Sequence, residues 1–318
     1  VVVSESDNSY ECLVGILAAW IASGSICLLA QGWPNTWKSQ IQKLTAGLSA
    51  TDLLREEAFY VLPTSGSTGT PKLVPISRSN WTVFMAGLMR EYSWGVGTRV
   101  ALTFQPSFDP FIAVAILALI HGATLVPLGR KSHFNVFDFC YENRIDVWAS
   151  TPSLARLNLI RSSGRCCESL QESLFTGERL TSGLVRQWQN HAPNSRLENL
   201  YGPVETTVWL TRHRFRYHEI GEKIPIGKPL LGVELSIDNG EIVARGPQVS
   251  AGYIDECGLR RFNGIYRTGD RGSCEEGLYF FDGRIDRQLK VAGRRVEAQQ
   301  IEDLIEREFG VGSVVSLN

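Results

Sequence analysis

The sequence predicts an α/β protein, a parallel sheet with intervening helices followed by a β-rich stretch. Two observations predict it. Between residues 58 and 160, short apolar runs alternate with stretches of helical period, the pattern of parallel strands linked by crossover helices. After about Arg212 the helical period gives way to strand-like runs that meet at turns such as Asp238-Asn239-Gly240, a hairpin signal. A chain of 318 residues is long enough for about two domains.

The elements follow in order. Residues 13–30 are nearly all apolar, close to the ~18–20 residues a spanning helix needs. Ser23-Gly24-Ser25 interrupts the run and reads as a turn. A helix therefore precedes it, and Ile26-Cys27-Leu28-Leu29 forms a short buried strand. No basic stretch precedes the run, so it does not read as a signal peptide. Strands are expected at residues 58–62, 100–103, 123–127 and 146–149. Helices are expected at 79–92, 111–121, 136–143 and 154–160, with Gly122 stopping the second. Later strands fall at 233–237, 241–244 and 278–281, and a short strand and a helix over 298–309 follow Asp286.

Composition narrows the function. Lys and Arg number 32 against 33 Asp and Glu, a net charge of −1. That excludes the strongly basic face of a nucleic-acid binder. The seven cysteines are odd in number and show no C-x-x-C spacing, so they read as reduced thiols of a cytoplasmic protein.

The segment Thr64-Ser65-Gly66-Ser67-Thr68-Gly69-Thr70-Pro71-Lys72 carries the chemistry. Gly66 and Gly69 permit backbone conformations closed to other residues, which lets successive N–H groups turn toward an anion. Hydroxyls and Lys72 add donors and positive charge. The set suits a polyphosphate, although the lysine follows Pro71 and no G-x-x-x-x-G-K-[ST] loop is present. A Ser/Gly-rich surface turn is the alternative for this stretch alone.

Residues 60–74 resemble the signature loop of the acyl-adenylate-forming superfamily, most closely its amino-acid adenylation domains of nonribosomal peptide synthetase or D-alanine–carrier protein ligase type. Further stretches resemble that family in its order: Phe108-Asp109, Phe175-Thr176-Gly177-Glu178, Leu200-Tyr201-Gly202-Pro203-Val204-Glu205-Thr206-Thr207, Gly240-Glu241-Ile242 through Gly252-Tyr253, Tyr266-Arg267-Thr268-Gly269-Asp270, and Gly283-Arg284-Ile285-Asp286 through Glu297. The resemblance implies a layered parallel-sheet core of adenylate-forming type over residues 1–285, with its β-rich subdomain at about 213–285. Residues 286–318 would then begin a small, mobile α+β domain.

The resemblance also implies roles. ATP and Mg²⁺ are the expected cofactors, and the activated acid passes to phosphopantetheine on a partner carrier protein. Thr64, Ser65, Gly66, Ser67, Thr68 and Gly69 would hold phosphates with Lys72, and Glu205 would help coordinate Mg²⁺. Lys72 and Glu205 are the catalytic candidates. Gly177, Glu178, Tyr201, Gly202, Thr206, Asp270 and Arg284 would surround the nucleotide, with Tyr201 stacked on adenine, Gly202 admitting the base and Asp270 accepting the ribose hydroxyls. Asp286 would be the hinge.

Asp109 is the most informative position. In amino-acid-activating members an aspartate here pairs with the substrate's α-ammonium group; a helix cap for residues beginning near Phe111 is the alternative. Pro110, Ala113, Ala149 or Ser150, Leu174, Thr176, Leu200, Val208 and Trp209 would complete the pocket. Its lining is mostly apolar, with Ser150 and Thr176 as hydrogen-bond donors, and a small-to-medium neutral amino acid is expected. An acyl- or aryl-CoA ligase and a non-catalytic nucleotide-binding relic are the other readings. Family members carry a late lysine that touches both carboxylate and α-phosphate, and no lysine follows Lys290 here. The expectation is a nucleotide-binding core truncated before that segment, or one that adenylates poorly.

Overall fold

The structure is a computed structural model that describes residues 2–6, 10–22, 24–30, 35–47, 58–64, 71–129, 135–161, 166–216, 220–286, 288–291 and 294–297, with Ile301, Ile305 and Val315. The loop residues Ser65 to Thr70, the Gly32-Trp33-Pro34 segment and most of the helix expected at 298–309 lie outside the described residues.

The chain opens with β1 (Val2–Ser6), α1 (Tyr10–Ile21), β2 (Ile26–Ala30), α2 (Asn35–Gly47), β3 (Ala58–Thr64), β4 (Lys72–Ser77) and α3 (Arg78–Leu88). It continues through β5 (Arg99–Leu102), α4 (Asp109–Ile120), β6 (Thr124–Pro127), α5 (Val136–Glu142), β7 (Val147–Ser150), α6 (Pro152–Arg161), β8 (Glu172–Thr176), α7 (Ser182–His191) and β9 (Arg196–Tyr201). The β-rich stretch comprises β10 (Thr211–Arg214), β11 (Pro225–Pro229), β12 (Glu234–Asp238), β13 (Glu241–Arg245), β14 (Gly252–Asp255), β15 (Gly258–Arg261), β16 (Ile265–Glu275) and β17 (Leu278–Arg284). A hairpin of β18 (Gln288–Val291) and β19 (Arg294–Glu297) follows.

Two large sheets result. The first has the order β1-β2-β3-β4-β14-β15 and the second β12-β13-β16-β17-β11-β10-β9-β8-β7-β5-β6. The expected parallel sheet is present from β6 through β9. Two features correct the expectation. Lys72–Ser77 is a strand, antiparallel to β3, with Thr64 opposite Lys72. The connection between them is too short for a parallel crossover, which needs about a dozen residues. The β-rich stretch also divides: β10 to β13, β16 and β17 extend the second sheet, whereas β14 joins the first by pairing Ile254 with Leu73.

Strand alternation sorts side chains into layers. Tyr60, Leu62, Val74 and Ile76 of the first sheet meet Val100, Leu102, Ala149, Leu174 and Leu200 of the second across α1, α3 and α4. Helix α4 is clamped on all sides, with Phe111 to Ala115 buried, which is why its sequence is apolar around the whole circumference. The outer face of the second sheet is covered by α5, α6 and α7 through Phe137, Cys140, Ala155, Leu184 and Trp188. The outer face of the first packs on Ile41 of α2. The apolar run at 13–30 is therefore split between α1 and β2. Among the described residues no helix is long and apolar enough to cross a membrane. The seven cysteines form no disulfide.

Tyr201 pairs with Thr211 across β9 and β10, and the chain between them folds back on Gly202. A Cβ at Gly202 would lie 2.4 Å from the Val208 carbonyl oxygen and 2.7 Å from the Trp209 Cα. Gly202→Ala should therefore cost roughly 2–3 kcal/mol, seen as a lower urea midpoint; an unchanged midpoint would show that this loop yields freely.

Candidate active site

The β3–β4 hairpin brings Thr64 and Lys72 together at the base of the phosphate-loop residues. The Lys72 ammonium lies 5.4 Å from the centroid of the Tyr253 ring. The Tyr253 hydroxyl donates to Glu205 Oε1 at 2.6 Å and lies 3.0 Å from the Tyr266 hydroxyl. Glu205 is fully buried in a 3-10 turn over Val204–Thr206. Lys72 and Glu205, distant in sequence, are thus joined through one tyrosine of β14.

Thr207 and Val208 follow that turn with φ of 60° and 66°. A β-branched residue in this region is strained. Side-chain contacts hold the segment: the Thr207 hydroxyl donates to the Gln248 carbonyl at 2.7 Å, and the Gln248 amide donates to the Trp209 carbonyl at 3.1 Å. Thr206, expected at the nucleotide, is buried and its hydroxyl donates to the Pro203 carbonyl.

A second group lies where the end of β17 pairs with the middle of β16, Arg284 opposite Asp270. The Tyr201 hydroxyl donates to Asp270 Oδ2 at 2.6 Å, and Arg284 donates to Asp270 Oδ1 at 2.7 Å. The same guanidinium holds both oxygens of Asp286, at 2.8 and 2.5 Å. Burial, and then the charge of Asp270, push the Tyr201 phenol well above its ordinary range, so it remains a donor. The Tyr201 ring, expected to stack on a base, packs with Leu210, Ile226, Ile242 and Ala244. The freedom expected of Gly202 toward a base is likewise used by the backbone of residues 208–210.

The acid-binding candidates converge in the interlayer. Ala113, Ala149, Leu174, Leu200, Val208 and Trp209 belong to one apolar cluster. The Trp209 indole donates to the Thr176 hydroxyl at 2.9 Å, and its ring meets Phe84 edge-on at 5.9 Å. Ala149 and Ser150 face different surroundings, Ala149 in the apolar cluster. Ser150 accepts from the Trp148 indole and donates to the Thr151 carbonyl. Its hydroxyl is already engaged, on the opposite sheet face from Ala149, which corrects the expectation that it donates into the pocket.

Asp109 and Pro110 are the first two residues of α4, and both are buried. The residue before them, Phe108, makes no side-chain cap. Asp109 is the first residue of the helix and only 4% exposed. Gly177 has a φ of 88°, and a Cβ there would meet Phe108 at 2.8 Å. Glu178 accepts from the Ser153 amide and hydroxyl at the start of α6, where a carboxylate meets unpaired N–H groups and the positive helix end.

Sequence reasoning did not single out Tyr253 as a site residue. Its motif gave only a loop signature, and its role arises from a cross-sheet contact that no spacing encodes. Among the described residues no three metal-ligating side chains converge. A Mg²⁺ would therefore be held by Glu205 together with oxygens of the nucleotide, an arrangement common for this ion, and the buried carboxylate with a phenol on one oxygen fits it.

A family described as AMP-binding enzyme matches residues 21–254. The chain is 33% identical over 278 residues to the D-alanine–D-alanyl carrier protein ligase of Listeria monocytogenes serotype 4b, covering 79% of this chain and 54% of that one. The ligase of the same name from Bacillus velezensis is 34% identical over 285 residues, covering 81% and 56%. The chain thus spans about half the length of these relatives. In fold it is similar to the Vibrio cholerae adenylation domain AlmE in complex with glycyl-adenosine-5'-phosphate, with a TM-score of 0.84 and 23% identity over 98% of this chain and 75% of that one.

If Glu205 carries the metal, Tyr253→Phe should raise the half-saturating Mg²⁺ concentration for nucleotide use about tenfold, measured by Mg²⁺ titration of turnover. An unchanged titration would reject the positioning role of Tyr253.

Proposed function

The chain belongs to the AMP-binding enzyme family, and on that premise we propose that it activates an amino acid as an aminoacyl-adenylate and passes it to a carrier-protein thiol. The observation that carries this reading is Asp109, a carboxylate buried at the first turn of an apolar helix beside the Ala113–Trp209 cluster. The names of the two carrier protein ligases support the acceptor and a small amino acid.

An oxygen of the substrate carboxylate attacks the α-phosphorus of ATP, the bond to the bridging oxygen breaks, and pyrophosphate leaves. Both reactants are anionic, so the protein's task is charge neutralisation and alignment. Lys72, with Thr64 and the loop residues Ser65 to Thr70, holds the β- and γ-phosphates. Glu205 would hold Mg²⁺, which would supply screening of the phosphate charge. Asp270 keeps lone pairs beyond those used by Tyr201 and Arg284, since a carboxylate offers about four, and these accept the ribose hydroxyls. The second step is attack of the phosphopantetheine sulfur on the acyl carbon, with AMP leaving. Asp286, tied to Asp270 through Arg284, is the pivot before residues 286–318, the start of the small domain.

Asp109 pairs with the α-ammonium group, and the apolar cluster receives the side chain. The Trp209 indole, fixed by Thr176 and Phe84, makes the apolar end short and favours a small neutral side chain.

In ATP–pyrophosphate exchange across an amino-acid panel, the complete protein should prefer small neutral amino acids and transfer them to carrier protein rather than to coenzyme A. A preference for acids without an amine would overturn the substrate assignment. Asp109→Ala should raise the amino-acid KM on the order of a hundredfold and leave the ATP KM unchanged. Asp270→Ala should have the converse selectivity, raising the ATP KM on the order of tenfold; an ATP KM that stays put would remove the ribose role.

A further inference from the structure

Tyr60 lies in β3 on the interlayer face, just upstream of the phosphate-loop residues. Its side chain is fully buried, and its hydroxyl has no hydrogen-bond partner. A buried hydroxyl removed from water and left without a partner is destabilising, and native folds keep few of them. The ring meets Trp81 edge-on at 5.8 Å; Trp81 meets Phe84 at 5.4 Å, and Phe84 meets Trp209 at 5.9 Å. An aromatic wall therefore runs from Tyr60 to the indole that closes the apolar cluster. Burial, and then the nearby charge of Asp109, push the phenol well above its ordinary range, so the group is a neutral O–H.

We propose that the Tyr60 hydroxyl is a further specificity-determining group that accepts a hydrogen bond from the α-ammonium of the amino-acid substrate beside Asp109. The proposal rests on the amino-acid reading above and names a second recognition group for it. An ammonium has three donors, and in a water-excluded site each requires an acceptor. Asp109 supplies the charge, and the phenol oxygen supplies a neutral acceptor that adds no second negative charge. An acid lacking the amine leaves this hydroxyl without a partner, so the residue sharpens discrimination against such acids.

The test is Tyr60→Phe in the complete protein, which removes one oxygen and keeps the ring. The amino-acid KM in pyrophosphate exchange should rise about tenfold with the ATP KM unchanged. Discrimination between the amino acid and its deaminated analogue should fall by a similar factor. Because the lost hydroxyl has no partner within the protein, Tm should hold or rise. A lowered Tm would mark the hydroxyl as a support of the fold and overturn the proposal. So would an unchanged amino-acid KM in a variant whose wild type exchanges normally, and that outcome leaves amino-acid activation standing. Wild type that exchanges with acids but not with amino acids would overturn both readings.

Discussion

A carboxylate inside an apolar layer is expensive to hold, and the architecture around Asp109 is arranged for it. Helix α4 is buried from Asp109 to Ala115, so over that stretch a lateral charge would be costly. Its first turn is the exception, because unpaired backbone N–H groups and the positive end of the helix meet a negative group there. Asp109 occupies that turn, with Pro110 next to it fitting a position where a missing N–H does no harm. On the proposed function, burial of the charge would serve selection, since the low dielectric favours a cation over a neutral group.

The nucleotide side uses a different device, a chain of shared charges. Asp270 is almost fully buried, and such a carboxylate is stable only with partners. Tyr201 approaches from β9 and Arg284 from β17, and Arg284 is held in turn by the more exposed Asp286. One guanidinium therefore links a buried carboxylate to the point where the chain leaves the second sheet.

Much of this was legible in the sequence because its cause is local. Alternating apolar runs mark β5 to β7 and their helices, and Asp238-Asn239-Gly240 marks the β12–β13 hairpin. The motifs carry most of the candidate residues. Other features were hidden because their cause is distant. Ala149 and Ser150 are neighbours in sequence, and only the placement of the sheet between two clusters decides which of them faces the interlayer. Gly202 reads as room for a ligand, whereas its missing side chain is filled by backbone that returns several residues later. Lys72–Ser77 is assigned no element from its sequence, yet it is the strand that carries β14 and Tyr253 to Glu205.

The sequence by itself determined the family, since its motifs recur in family order along one chain. It also determined the apolar character of α4 and the presence of Asp109 at its head. Only the tertiary structure decided which side chains meet. Tyr253 joins Lys72 to Glu205, Tyr201 and Arg284 share Asp270, and Tyr60 leaves a buried hydroxyl without a partner. The reason is physical: local periodicity sets the face on which a residue lies, whereas hydrogen bonding across sheets depends on register and layer packing, which no short window of sequence contains.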